Sequence, residues 1–177
     1  RHCDKFLDQM YYQASNYFDE LGVDIEGCTD KLDKCRDFML NSKPVKPGKY
    51  TVILSPMTAG VFAHESFGHK SESDFQIGDQ NMKDEWKIGI KIGSDVLSIA
   101  DDGNQSGCGY VPFDDEGTRA RKTMLIENGL LAGRLHSVYT AAALDEEVTG
   151  NSRAASFEYE PIVRMTSTYI LPGKMTR

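Results

Sequence analysis

The sequence has few cysteines, no long hydrophobic run and no excess of positive charge, and each absence excludes a class of protein. Its 177 residues include 4 cysteines, none in a CxxC pair, so free thiols are favoured over a disulfide framework. The apolar stretches at residues 52–54 and 140–144 are too short to cross a bilayer. The formal net charge of -7 argues against a nucleic-acid partner. We therefore expect a cytoplasmic protein that binds neither membrane nor nucleic acid.

The remaining composition is that of a folded domain. Hydrophobic residues make up 40% and charged residues 27%, which excludes a disordered chain. The chain opens with Arg1-His2-Cys3, without Met and without the apolar core of a signal peptide. We therefore expect a piece of a longer protein.

The first forty residues carry helical patterns. Apolar residues three and four apart, from Phe6 to Leu21, predict an amphipathic helix that ends at Gly22. A second helix is predicted from an N-cap at Thr29 through Met39. The two prolines in residues 41–48 are typical of a linker. We expect residues 1–43 to be the end of an N-terminal domain or a linker, and 44–177 a second domain truncated at its C-terminus.

The second part of the chain predicts mostly strands. Residues 50–54 predict a buried strand closed by Ser55-Pro56, followed by a helix capped by Thr58. Strands are also predicted at 88–92 and at 96–100, the latter stopped by Asp101-Asp102-Gly103. Asn128-Gly129, between 123–127 and 130–135, predicts a hairpin. A helix over 137–144 and extended segments over 158–171 follow. The predicted class is α+β: N-terminal helices, a strand, a motif-bearing helix and a mostly antiparallel β region.

One motif carries metal chemistry. Residues 64–69 read His64-Glu65-Ser66-Phe67-Gly68-His69, an HExxxH pattern. Two imidazoles can share a zinc ion, and a neighbouring glutamate can serve as general base. On an ideal helix, however, residues five apart lie about 140° from each other. A π-bulge, or unwinding at Gly68, would bring the rings together. The alternative is a pair of core or surface histidines bonded to backbone.

The surrounding residues resemble the TldD/PmbA family of metallopeptidases, also called modulators of DNA gyrase. The resemblance extends from the HExxxH segment over about residues 50–173, and it is carried by several collinear motifs. In order, they are Ala63-His64-Glu65-Ser66-Phe67-Gly68-His69-Lys70-Ser71-Glu72-Ser73-Asp74-Phe75, Asp101-Asp102-Gly103, Asp114-Asp115-Glu116-Gly117-Thr118, Leu125-Ile126-Glu127-Asn128-Gly129, Thr149-Gly150-Asn151-Ser152-Arg153 and Arg164-Met165-Thr166-Ser167-Thr168-Tyr169-Ile170-Leu171-Pro172-Gly173. Because the HExxxH motif is complete, the chain resembles the TldD branch.

The resemblance implies a cytoplasmic zinc peptidase that cuts unstructured peptides. His64 and His69 would be zinc ligands and Glu65 the base. Family members form two-fold assemblies, so a homodimer or a heterodimer with a PmbA-like subunit is expected. The family's third ligand is a cysteine far downstream, and Cys108 does not occupy its motif. We therefore expect this chain alone to hold zinc weakly and to be inactive.

Several other polar residues are weaker candidates. Glu72 and Asp74 match acidic positions of the family and could orient a ligand histidine or touch the peptide, or simply form a solvated acidic loop. Asn151 and Arg153 could hydrogen-bond an extended peptide, or shape the backbone. His136 ends a strand, where a histidine is usually a core or rim residue.

A non-catalytic function is the alternative hypothesis. In that case the HExxxH helix is structural and the chain is a scaffold or a partner-binding fragment. The two hypotheses differ in metal content, because only the peptidase requires bound zinc.

Overall fold

The computed structural model describes residues 6–8 and 10–174, which divide into two compact units between Ile53 and Leu54. The helices are α1 (Ile25–Asn41), α2 (Pro56–Ala63), α3 (His69–Ser71), α4 (Gln80–Glu85) and α5 (Val138–Leu144). The strands are β1 (Ile99–Asp102), β2 (Lys122–Glu127), β3 (Leu130–Leu131), β4 (Ser152–Arg153), β5 (Ile162–Val163) and β6 (Thr168–Ile170). This confirms the predicted α+β class. The predicted domain boundary between residues 43 and 44 stays a prediction.

The first predicted helix is wrong. The described residues before Gly22 form no α-helix and contain only a 3-10 turn at Phe18–Glu20. The apolar stripe is exposed, with Phe6 at 69% and Phe18 at 87%. An amphipathic helix gains most of its stability by burying its apolar face, and this stripe is not buried. Residue 9 of the predicted helix lies outside the described residues.

The second predicted helix forms, but it begins earlier than its predicted cap. Asp24 is the N-cap of α1, and its side chain accepts a hydrogen bond from the backbone N–H of Gly27 at 2.9 Å. Thr29 lies inside the helix, where its hydroxyl donates to the carbonyl of Ile25. Asp is as strong an N-cap as Ser and stronger than Thr, which explains the earlier start.

The predicted strand at residues 50–54 is also wrong. These residues have no strand hydrogen bonds in the described structure, and the side chain of Ile53 is fully exposed. A β-branched run forms a strand only where a neighbouring strand pairs with it. The next helix, α2, is capped by Ser55 and not by Thr58, because Pro56 is well suited to the first helical position.

An antiparallel four-stranded sheet forms the centre of the second unit, in the order β3-β2-β1-β6. Its pairing confirms the mostly antiparallel β region. The core that it covers contains Ala63, Ile99, Leu125, Ile126, Leu135, Val163 and Met165. Strands β4 and β5 form a separate antiparallel pair. No helix in the described part of the chain has both the length and the apolar character needed to span a bilayer.

Two further strand predictions need correction. Residues 88–92 turn at Gly89, whose φ of 89° is incompatible with a strand, and only Lys91 forms a bridge, to Leu130. Strand β1 begins at Ile99 and continues through Asp101, which was expected to stop it. Asp101 is tolerated there because the backbone and hydroxyl of Thr166 and the hydroxyl of Thr168 donate to its carboxylate.

The hairpin turn and the last helix follow the sequence closely, although the strand predicted over residues 130–135 ends at Leu131. Asn128 and Gly129 adopt φ values of 51° and 77°, the positive pair that a two-residue turn between β2 and β3 requires. Ser137 caps α5, with Thr140 completing a reciprocal capping box. Both predictions depend on neighbouring residues alone, and both are confirmed.

Candidate metal centre

The HExxxH segment contains the helical defect that its spacing requires. Helix α2 continues into a π-helical turn at His64–Gly68, and the backbone N–H of His69 donates to the carbonyl of His64, five residues earlier. The wider turn brings the two imidazoles together, with ring centroids 4.6 Å apart and planes at 81°. The predicted π-bulge is therefore present, and both rings face the same region.

Gly68 allows this turn to pack closely. Gly68 is buried, and a Cβ atom placed on it would lie 2.0 Å from the sulfur of Met165. The thioether occupies the space that a side chain would need. Glycine allows this close packing, because any larger residue at position 68 would have to displace the side chain of Met165.

Three side chains offer a set of metal ligands. The potential ligand atoms of His64, Glu65 and His69 all lie within 4.8 Å of one another, the only such group among the described residues. Nε2 of His69 lies 3.9 Å from a carboxylate oxygen of Glu65. Imidazole nitrogen and carboxylate oxygen are donors that zinc binds readily, so the residues fit a zinc ion. Because the side chain of Glu65 is 64% exposed, substrate could reach it.

Glu72 contacts the Nδ1 atom of the His69 ring. One carboxylate oxygen of Glu72 lies 3.0 Å from Nδ1 of His69, and the other accepts the backbone N–H of Met165 at 3.3 Å. The side chain of Glu72 is only 1% exposed, so the solvated-loop interpretation is wrong for this residue. A carboxylate acceptor places the ring proton on Nδ1 and leaves the lone pair of Nε2 free for a metal.

The side chains of Asp74 and Asn151 each form a hydrogen bond with a backbone group of residues 163–164. Asp74 is partly buried and accepts the N–H of Val163 at 2.7 Å. Asn151 is buried, and its amide donates to the carboxylate of Asp101 and to the carbonyl of Arg164. Both side chains therefore position the segment around residues 163–165. Their predicted contact with a peptide stays a prediction.

The two arginines near this segment differ in their surroundings. Arg153 is exposed in β4, which pairs with β5 and makes no described contact with the ligand group. Arg164, which sequence reasoning missed, places a guanidinium nitrogen 3.7 Å from Glu72. The missed signal is the alternation over residues 163–165: Val163 and Met165 are buried, so the residue between them faces outward.

His136 lies in a different network, buried beside a cavity of about 460 Å³. Its Nε2 atom is 3.0 Å from Glu146, which also pairs with Arg134. Burial of Glu146 opposes its ionisation, but the hydrogen bond from His136 and the charges of Arg134 and His136 outweigh this. They hold the pKa of Glu146 below its ordinary value of 4.5.

None of the described cysteines belongs to the ligand group. Cys28 is a free thiol, as expected, and Cys3 lies outside the described residues. Cys108 is exposed and is not part of the HExxxH cluster. The structure thus assigns the metal-ligand geometry to the HExxxH residues alone, within the described chain.

Comparison with known proteins defines the class to which this site belongs. Residues 47–177 match the family model described as the PmbA/TldA metallopeptidase C-terminal domain. The chain belongs to this metallopeptidase family, which confirms the resemblance read from its motifs.

Curated relatives support the same assignment. The chain is 46% identical over 137 residues to a metalloprotease of Methanocaldococcus jannaschii, covering 76% of this chain and 30% of that protein. It is 37% identical over 154 residues to the zinc metalloprotease TldD homolog of Saccharolobus solfataricus, covering 85% of this chain and 34% of that protein. The chain thus spans about a third of the curated relatives it matches.

Solved structures share the fold. TldE from Thermococcus kodakarensis matches with a TM-score of 0.52 and 28% identity, over 66% of this chain and 26% of that one. A putative modulator of DNA gyrase from Bacteroides thetaiotaomicron matches with a TM-score of 0.64 over 90% of this chain and 33% of that one. At 20% identity, the second match supports the fold alone.

Proposed function

We propose that this chain supplies the metal-binding and proton-transfer residues of a zinc-dependent peptidase of the TldD type. The observation that carries the proposal is the π-helical turn, which gathers the imidazoles of His64 and His69 and the carboxylate of Glu65 within 4.8 Å of one another. A structural helix has no need of this defect, since a regular turn costs less and leaves the two rings apart.

Each residue has a distinct task in the proposed reaction. His64 and His69 would hold a zinc ion, and Glu72 fixes the orientation and tautomer of His69. The bound zinc would polarise the scissile carbonyl and acidify a water molecule. Glu65 accepts the proton of the attacking water and delivers it to the leaving nitrogen. Its exposure leaves room for a peptide beside it.

The substrate and the assembly are part of the same proposal. We expect an unstructured peptide, bound in an extended form, and a cytoplasmic homodimer or heterodimer with a PmbA-like subunit. A third ligand completes the zinc site; by family resemblance it is a cysteine beyond residue 177, so this chain alone should hold zinc weakly and be inactive.

Metal analysis and cleavage of an unfolded peptide by the intact protein test the function. We expect about one zinc per active subunit, lost in His64→Ala and His69→Ala. Glu65→Gln should retain zinc and lose cleavage, because an amide cannot accept the proton. A metal-free protein that cleaves peptides in the presence of chelators would contradict the proposal. A protein with neither zinc nor activity would support the scaffold alternative.

A further inference from the structure

Arg164 lies beside the proposed active site with its charge only partly compensated. Its side chain is 42% exposed, and its nearest carboxylate oxygen, on Glu72, is 3.7 Å away, beyond hydrogen-bond distance. Among the described residues, that is the only ionic contact of its guanidinium. Five donors thus face a partly open space next to the residue that orients His69.

Glu72 cannot become a closer partner without disturbing the ligand histidine. One of its oxygens is bonded to His69 and the other to the backbone N–H of Met165. Moving the carboxylate toward Arg164 would break one of these bonds inside the protein and leave a buried polar group without its partner. The guanidinium therefore remains available to another anion.

The backbone of Arg164 is held firmly. Its N–H donates to the carbonyl of Asn151 at 2.8 Å, and its carbonyl accepts the Asn151 side chain at 3.0 Å. Asp74 binds the N–H of Val163 before it, and Glu72 binds the N–H of Met165 after it. Three polar side chains thus fix the backbone from which the Arg164 side chain extends, as a binding residue requires.

We propose that Arg164 binds a carboxylate group of the peptide substrate. A guanidinium fork matches the two oxygens of a carboxylate, and such bidentate, charge-assisted pairs are among the strongest polar contacts in proteins. The carboxylate belongs either to the C-terminus of the peptide or to an acidic side chain. This inference rests on the proposed function and adds a substrate preference to it. Arg164 takes no proton and forms no bond in the reaction.

The test measures peptide discrimination by the intact, zinc-loaded protein. One peptide pair differs by a free or amidated C-terminus, and a second pair by Glu or Gln two residues from the cleaved bond. Binding is measured by fluorescence anisotropy in the Glu65→Gln background. The kcat/KM values are measured in the protein that retains Glu65. We expect the carboxylate-bearing member of one pair to bind about 10- to 100-fold more tightly. The pair that shows the difference identifies the source of the carboxylate.

Substitutions of Arg164 test whether this residue causes the discrimination between the peptides. Arg164→Gln should abolish the discrimination, and Arg164→Lys should keep part of it, because lysine retains the charge without the fork. Zinc content and thermal stability should stay unchanged, since the side chain is partly exposed. The comparison variant is Arg121→Gln, at an exposed arginine that pairs with Glu147. The inference is overturned if Arg164→Gln keeps the discrimination, if Arg121→Gln removes it, or if all four peptides lose affinity equally. Loss of zinc in the parent protein would instead contradict the proposed function.

Discussion

A single buried carboxylate links the candidate metal site to the rest of the protein. Glu72 is the residue that orients His69, and its second oxygen holds the backbone of Met165, 93 residues further along the chain. Such partners of ligand histidines set both the tautomer and the direction of the ring. The geometry of His69 therefore depends on a residue that does not itself belong to the ligand group.

Replacing Glu72 should weaken metal binding without removing a ligand. In Glu72→Gln, the amide can present its NH2 group to Nδ1 of His69, which favours the tautomer whose proton is on Nε2. We expect the affinity for zinc to fall about 10- to 100-fold. Competition with a chromogenic chelator, performed on the intact protein, measures this change.

Asp74→Asn is the matched control. Asp74 is also an acidic residue that accepts a backbone N–H, but it contacts Val163 and no histidine. Its substitution should lower stability modestly and leave the affinity for zinc within about threefold of the original. Equal losses of zinc affinity in the two variants would show that Glu72 acts only through the fold.

At the scale of the element, the π-helical turn depends on the chain that packs against it. Met165 contacts the turn and the residue that orients His69: its sulfur fills the space at Gly68, and its backbone N–H donates to Glu72. The side chain of Met165 is 5% exposed and belongs to the core cluster that also contains Ala63, the residue before the turn. The defect in the helix is therefore supported by packing from a distant segment.

Adding one methyl group to the turn should disturb it. The Cβ atom of Gly68→Ala would lie 2.0 Å from the Met165 sulfur, so one of the two must move. We expect a loss of about 1–3 kcal/mol in the free energy of unfolding, with weaker zinc binding. Met165→Ala in the same protein should restore part of the zinc affinity, because it vacates the contested space. Urea denaturation and zinc titration measure the two effects.

Gly60→Ala in α2 controls for the helix itself. Nothing lies within 4 Å of a Cβ atom at Gly60, so alanine there should be neutral or stabilising by up to about 1 kcal/mol. If both alanine variants behave alike, close packing at Gly68 is not the reason for glycine.

Local chemistry made parts of the fold predictable. The turn at Asn128-Gly129 and the cap at Ser137 depend on adjacent residues, and the five-residue histidine spacing required a π-bulge. The predictions failed at residues 6–21 and 50–54, where apolar residues found no neighbour to bury them. A hydrophobic pattern becomes a helix or strand only where tertiary contacts support it.

The candidate site, like the fold, could be predicted from the sequence only in part. The HExxxH ligands could be found from spacing, and the acidic position of Glu72 was visible. Its bonds to His69 and Met165 were not, because the second partner is far away in sequence. Arg164 was missed for the same reason: its position beside Glu72 follows from how the chain folds between them.

At the scale of the whole described chain, one segment connects the metal site to the buried network of His136. The backbone of Leu135 donates to the carbonyl of Ser71 and accepts from the N–H of Ser73, just after the HExxxH turn. The residues on either side, Arg134 and His136, both pair with Glu146. Glu146 thus anchors the segment that supports the chain after His69.

The lowered pKa of Glu146 makes this anchor sensitive to acid. The unfolded carboxyl, near its ordinary 4.5, takes up its proton at a higher pH than the folded one, so the unfolded state binds more protons in that window. The stabilisation is complete above pH 4.5 and is lost as the pH falls through the lowered folded pKa. Glu146→Gln should lower the free energy of unfolding by about 1–3 kcal/mol at pH 7, since it leaves the buried Arg134 without its carboxylate.

A variant of Glu147, the residue after Glu146, shows whether the loss of stability is specific to Glu146 or follows from losing any acidic group. Glu147 pairs with Arg121 on the surface, and its side chain is 81% exposed. Glu147→Gln should therefore change stability by less than about 0.5 kcal/mol at any pH. Urea midpoints measured from pH 7 down to pH 3 should fall less steeply in Glu146→Gln than in the parent, while Glu147→Gln follows the parent curve. Parallel curves for the parent and Glu146→Gln would show that the pKa of Glu146 is not lowered in the folded protein. The segment around Leu135 would then be held by its packing and its backbone hydrogen bonds to Ser71 and Ser73, without help from the charge of Glu146.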